Sequence, residues 1–369
     1  MSDVVVVGGG AIGLSVAWEM AQRGADVTVV EQSRVGREAS WAGAGFFPPG
    51  NLTGAATPIA RLRAFSHSLW ADWSEKLRER TGIDNGYRVC GGVIVSFDEP
   101  LDGEFQQWQA EGVAIERLTA DSARAIEPAL TSELRDAYHL PQLAQARNPR
   151  HLKAMRSACE LAGVRFLEGC PVTSWERSDR GIIAAKTAHG RVDGDQFVIA
   201  AGAWSSALLS DAGLPVTIEP VRGQIVLLQL PQPMFRHVIE VGPRYLVPRP
   251  DGRVLIGSTE ERAGFVKQNT VDGVAGLLNF ATSLVPELDG ADVERCWAGL
   301  RPCPTGELPL IGHLPDAENT IVATGHFRSG LQMSPGTGVL VSELLTGAET
   351  SIDLAPFNPA FNESQTAVV

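Results

Sequence analysis

The sequence predicts an α/β chain of two domains, α+β in layout: a Rossmann-like βαβ domain carrying a substrate domain built on antiparallel sheet. Three observations predict it. The run Val4-Val5-Val6-Val7 passes directly into Gly8-Gly9-Gly10-Ala11-Ile12-Gly13 and then into an amphipathic stretch from Leu14 to Arg23. A second apolar run, Val27-Thr28-Val29-Val30, ends in Glu31. From Gly86, and again from Ile218, helical periodicity gives way to short strand-like runs broken by glycine and proline.

The first two observations form strand, glycine turn, helix, strand and acid, the fingerprint of a dinucleotide site. Gly8 permits the tight turn out of the strand. Gly10 lacks a Cβ, so a pyrophosphate can approach the backbone, and Gly13 lets the helix pack against the sheet. Ala11 and Ile12 open the helix, whose free N–H groups and positive dipole end face the phosphates. Glu31, followed by Gln32, stands about 20 residues on and can accept from an adenosine ribose. An acid there opposes a 2′-phosphate, which argues against NADP.

The chain has 369 residues, long enough for two domains. Its net charge of −12 gives no broad electrostatic footprint for nucleic acid or an anionic membrane. No apolar run reaches the ~18 residues of a membrane span. The N-terminus enters a strand by Val4 with no basic region, so no signal peptide is expected. The five cysteines form no CxxC pair, which suits reduced thiols and a cytoplasmic protein. The seven histidines show no ligand spacing, and no metal is expected.

The rest of the chain reads mainly as alternating helix and strand. Pro58 to Arg80 reads as a long helix, with Leu62, Phe65, Leu69, Trp70, Trp73 and Leu77 at helical spacing. Ser40 to Gly45 contributes a small-residue path, Gly43-Ala44-Gly45, through which backbone N–H groups can reach a phosphate or a ring edge. Leu118 to Glu127 reads as a surface helix, and Asn148-Pro149 opens a helix through Leu161. Strands are expected at Pro171 to Thr173 and Asp195 to Ala200, the latter running into the turn Ala201-Gly202-Ala203-Trp204-Ser205. Asp292 to Gly299 reads as a strand leading to a loop with Arg301. A last helix is expected to open at Gly336, its positive end aimed at the sheet edge. The tail from Phe357 to Val369 is weakly patterned. The domains are then 1–85, 146–214 and 291–369 for the nucleotide, with 86–145 and 215–290 for the substrate.

Residue type alone leaves the chemistry open. Arg301 suits bidentate carboxylate binding or a structural ion pair. Tyr245 is a core tyrosine or a pocket donor. Arg328 and His326 are structural or functional on the same footing.

Four motifs in order, Gly8–Gly13, Ala200–Ser205, Trp297-Ala298-Gly299-Leu300-Arg301-Pro302 and Gly325-His326-Phe327-Arg328-Ser329-Gly330, resemble those of the FAD-dependent amine oxidases of the D-amino-acid oxidase superfamily, in its glycine oxidase branch. The similarity runs the full length. It implies noncovalent FAD, with Glu31 on the ribose and the Val172 backbone at the adenine. Ser40, Gly43, Ala44 and Gly45 would line the pyrophosphate and flavin. Ala201, Gly202 and Trp204 would lie beside the first glycine turn. Arg301 would pair with the substrate carboxylate and Tyr245 would donate to it. Arg328 and the backbone of Ser329, Gly330, Leu331, Gln332 and Met333 would lie by the carboxylate and the flavin pyrimidine edge. Phe46 and Glu260 stand where glycine oxidases carry methionines, and Pro243 where they carry a histidine. Cys303 lies near the position at which sarcosine oxidases attach flavin, with spacing that fits poorly.

The resemblance implies oxidative deamination of glycine and other small amino acids, sarcosine and D-alanine, to a 2-oxo acid, ammonia and hydrogen peroxide. Molecular oxygen is the acceptor, the physiological setting is thiamine (thiazole) biosynthesis, and the assembly is a homotetramer. The alternatives are a D-amino-acid or sarcosine dehydrogenase that passes electrons to a quinone or a protein, and a non-catalytic FAD-binding protein.

Overall fold

The computed structural model describes residues 2–362 except Arg180 and Glu307; the end of the weakly patterned tail, 363–369, lies outside them. The valine run becomes the strand Ser2–Val7 at the centre of the first sheet. It pairs in parallel with Val27–Val30 on one side and Gly190–Ile199 on the other. Arg165–Leu167 extends the parallel set on the first side and Ala317–Thr324 on the second. Both faces of this sheet are covered, which is why its strands read as unbroken apolar runs. Leu14, Leu62, Leu152 and Leu340 pack on one face, from the helices Ala11–Gln22, Pro58–Thr81, Asn148–Leu161 and Gly330–Thr346. Phe197, Ile199, Leu208 and Leu209 close the other.

The Pro58–Thr81 helix has the ends its sequence predicts. Thr57 caps it by accepting from the Ala60 N–H at 3.2 Å, proline opens it, and Gly82 at φ 69° ends it in the left-handed region.

The second sheet has eight strands. In spatial order they are Asp292–Pro304, Ile218–Gln229, Arg253–Gly257, Arg244–Pro248, Val238–Val241, Gly92–Ser96, Asp136–Leu140 and Glu116–Leu118. All neighbours are antiparallel except Val238–Val241 beside Gly92–Ser96. One face packs on the helix Val271–Leu284 through Leu277, Phe280 and Ile256. The other turns toward the first sheet.

Four expectations are corrected. The strand expected to stop at Gly299 continues to Pro304, so Arg301 sits in a strand and not in a loop. Pro302 and Pro304 are tolerated because this is an edge strand, where a missing N–H breaks no ladder. The last helix opens at Gly330 and not at Gly336. Pro335 lies inside it, and the bonds the proline disturbs are replaced from the Pro58–Thr81 helix. Ser66 Oγ and Trp70 Nε1 donate to the Gln332 carbonyl at 2.7 and 2.8 Å, and the Gly336 N–H donates to Ser66 Oγ at 2.9 Å. The two short strands expected at 171–173 and 195–200 are parts of an antiparallel meander, Val172–Ser178, Gly181–Thr187 and Gly190–Ile199. The helix expected over 118–127 is the strand Glu116–Leu118 followed by the helix Ala120–Ile126, capped by Thr119.

Candidate active site

A cavity of about 640 Å³ runs between the two sheets. Its first wall is the glycine turn. A Cβ on Gly8, at φ 109°, would overlap the Ala200 carbonyl, and one on Gly13 would overlap the Gly8 carbonyl. Gly10 is open on the cavity side, with only Ser40 Oγ within reach of a Cβ, at 3.2 Å. The helix that follows has Gly10 as its N-cap, no side-chain cap and no acid in its first turn. The Gly330–Thr346 helix also starts at the cavity, on Ser329, without a side-chain cap or an early acid. Ser40 Oγ accepts from the Ala11 N–H at 2.9 Å, and both helix N-termini present positive partial charge to the same space. A dinucleotide carrying a pyrophosphate and a ring that takes up negative charge fits both.

Glu31 is buried. Its Oε2 accepts from the Gly9 N–H at 2.8 Å and its Oε1 from the Ser33 N–H at 2.9 Å. The carboxylate therefore fixes the glycine turn and keeps lone pairs free for a ribose. Gln32, Ser40, Gly43, Ala44, Gly45, Val172, Ala201, Gly202 and Trp204 all line the cavity. Asn148 holds this path, donating from Nδ2 to the Ser40 carbonyl at 2.7 Å. Gly13 and Met333 do not line it. Gly13 provides the close packing between helix and strand, and Met333 is buried in the first core.

The opposite wall is the inner face of the second sheet. Arg301 stands opposite Val221, two residues along from the Gly223–Gly299 pair. Its guanidinium folds back over Gly223, where any Cβ would overlap it. Nη1 donates to the Thr259 carbonyl at 3.1 Å and Nη2 to Ser258 Oγ at 2.5 Å. Tyr245 stands opposite Gly257, and its ring lies across that glycine for the same steric reason. Phe46 packs against it edge-on, with ring centroids 4.9 Å apart. Burial pushes the Tyr245 hydroxyl above the usual phenol range, with Arg301 pulling the other way. Burial also lowers the Arg301 guanidinium, and neither Tyr245 nor Glu260 fully offsets it. A partly uncompensated buried cation beside a protonated hydroxyl is a seat for a carboxylate.

Arg328 also lines the cavity, at its rim, where it is half exposed and paired with Glu260. Gly223, Gly257, Ser258 and Asn148 were missed as site residues. Two glycines inside strands were the available signal, since they mark places where something approaches the backbone.

His326 lines the cavity but is buried, with its Nε2 3.0 Å from Thr337 Oγ1 and its pKa pushed down to about 3 by burial. His151, also buried, is likewise pushed down to about 3. Both stay neutral when folded and gain a proton when unfolded below their ordinary pKa. Stability is therefore full above that pKa and is lost as pH falls toward 3. Each histidine is expected to cost about 2 kcal/mol at about pH 5 relative to pH 8, read as a fall in the urea midpoint.

Fold and cavity together fit a dinucleotide-dependent oxidoreductase. The chain belongs to the DAO family of FAD-dependent oxidoreductases, whose model matches residues 3–344, and its cofactor is FAD. It is 36% identical over 359 residues to a glycine oxidase of Pseudomonas putida, covering 97% of this chain and 98% of that one. A glycine oxidase of Pseudomonas aeruginosa is 34% identical over the same shares. The crystal structure of glycine oxidase from Geobacillus kaustophilus superposes with a TM-score of 0.91 at 32% identity, covering 97% of this chain and 98% of that one.

A Gly223→Ala variant is expected to push the Arg301 guanidinium off its seat. KM for the amino acid should rise about 100-fold while the yellow colour of the purified protein is kept.

Proposed function

We propose that the chain is a glycine oxidase: it converts glycine, water and oxygen to glyoxylate, ammonia and hydrogen peroxide, and serves the thiazole branch of thiamine synthesis. The observation that carries the reading is the Arg301–Tyr245 seat on the wall facing the glycine turn. Relatives named glycine oxidase over nearly the whole chain support it, as do longer bifunctional ThiO/ThiG proteins, of which a Synechocystis example is 32% identical and about half covered.

Bound FAD supplies the two-electron acceptor for the hydride that leaves the substrate α-carbon. The chain's own residues bind and orient. Arg301 takes the carboxylate through its fork, and the Tyr245 hydroxyl, held protonated by burial, donates to it. Gly223 and Gly257 let both side chains lie flat on the sheet, and Phe46 braces the Tyr245 ring. Ser258 and Thr259 fix the guanidinium, so little ordering remains to be done on binding. Glu31, Ser40 and the two helix N-termini hold the dinucleotide. Arg328 closes the rim with Glu260.

Sarcosine and D-alanine are proposed as further substrates, since the seat grips only the carboxylate. The domain division is proposed as 1–85, 146–214 and 291–369 for the nucleotide and 86–145 and 215–290 for the substrate, with Asp292–Pro304 lending its strand to the second sheet. A cytoplasmic homotetramer is proposed from the family resemblance and from five cysteines that form no CxxC pair. The test is anaerobic titration of the purified holoprotein with glycine while the flavin band is watched. Bleaching, and peroxide on readmitting air, support the reading; a flavin left oxidised by glycine, sarcosine and D-alanine overturns it.

A further inference from the structure

We propose that Glu240 makes the cavity selective for amino acids that carry a second amino group at the end remote from the carboxylate. The proposal rests on the reading that Arg301 and Tyr245 seat the substrate carboxylate.

The register places Glu240 directly opposite Tyr245, and Tyr245 directly opposite Gly257. Directly opposed residues share a sheet face, so Glu240 and Tyr245 stand side by side on the cavity wall, and both line it. The Tyr245 ring is laid over Gly257 toward Ser258 and Arg301. It leans away from Glu240. The cavity floor therefore has a cation at one end, a hydroxyl in the middle and a carboxyl at the other. The strand beneath the guanidinium, that of Gly223, and the strand of Glu240 are three strand spacings apart, about 14 Å. Glycine spans only part of that distance.

Four glutamates line the cavity: Glu31, Glu38, Glu240 and Glu260. Glu31 accepts from Gly9 and Ser33, Glu38 holds Lys267 at 2.9 Å, and Glu260 holds Arg328. Glu240 alone has no hydrogen bond or ion pair among the described residues. Ile94 stands opposite it on the far strand, Tyr138 follows on the same face with its hydroxyl donating to Glu104 at 2.9 Å, and Phe46 packs on Tyr245. A carboxyl facing such a wall is costly unless something pairs with it. Burial, with Glu104 adding like charge, pushes its pKa up to about 8. Near neutral pH it is mostly protonated in the free protein, and an ammonium group brought beside it favours the carboxylate and releases the proton.

The experiment compares 4-aminobutyrate with butyrate. Both carry the carboxylate for Arg301, neither has an α-amine to oxidise, and only one carries a distal ammonium. Binding to the holoprotein is read from perturbation of the flavin spectrum, and proton release from titration calorimetry in two buffers. We expect 4-aminobutyrate to bind at least tenfold more tightly and to release a proton near pH 7, with both differences lost in Glu240→Gln. Equal affinities, binding of neither ligand, or a preference that survives Glu240→Gln overturns the proposal. Unchanged colour and butyrate affinity of the variant show that it is folded. A flavin that glycine fails to bleach overturns the oxidase reading alone, because the two affinities remain measurable.

Discussion

Arg301→Ala lowers kcat/KM for glycine by about 1,000-fold, the size expected when one partner of a buried charge-assisted pair is removed. The loss falls mainly in KM, because the guanidinium binds the carboxylate in the ground state as well as the transition state. Arg301→Lys keeps the charge and loses the fork. A lysine extended over Gly223 cannot donate to both oxygens in plane, so it recovers only part of the loss. Both variants keep FAD and remain yellow. Steady-state peroxide assays with glycine check the ratio. A KM within a few-fold of the wild type for Arg301→Ala would show that the carboxylate is seated elsewhere.

Gly13→Val fails at an earlier level. A Cβ at this position overlaps the Gly8 carbonyl and comes within 3.2 Å of Val6 Cγ1. Neither neighbour can give way, because Gly8 is itself pinned by the Ala200 carbonyl on its other side. The helix must therefore lift off the sheet. The expected cost is about 3 kcal/mol or more, as for overpacking in a close-packed core. The lift also moves the N–H groups that face the pyrophosphate, so the protein should purify colourless. A urea midpoint and the visible flavin band measure the two effects separately. A yellow, undestabilised Gly13→Val protein would show that the contact is not needed.

The dinucleotide wall was legible because local signals agree there. The valine run, the glycine spacing and the terminal acid each point to one backbone path, and the structure follows it residue by residue. Much of the meander over 172–199 was not. Val172–Ser178 is mostly exposed or half-buried, so it carries little apolar alternation to read. The opening of the last helix was hidden by Pro335, which reads as a helix start and is accommodated only because Ser66 and Trp70 supply bonds from far away in sequence. Arg301 was legible as a residue but not as a place. Its seat depends on Gly223, a partner about 80 residues away that only strand register brings beneath it. Glu240 was the one acid in an apolar run, Val238-Ile239-Glu240-Val241, and its meaning emerged only once the other three cavity glutamates were seen to be occupied.

The pairing of Phe197, Val198 and Ile199 with Thr320, Ile321 and Val322 bears on how the molecule is made. The central strand begins at residue 2, and the strand two places away ends at residue 324. The chain must be synthesised as far as residue 324 before the first sheet is complete, and loops of more than a hundred residues must close to complete it. Until then the inner strands offer unpaired edges on an emerging polypeptide. The helix that seals the cavity, Gly330–Thr346, follows that last strand. Flavin capture thus waits until this helix has been made, and a chain truncated before residue 317 should emerge as an apoprotein prone to aggregate rather than as a smaller enzyme.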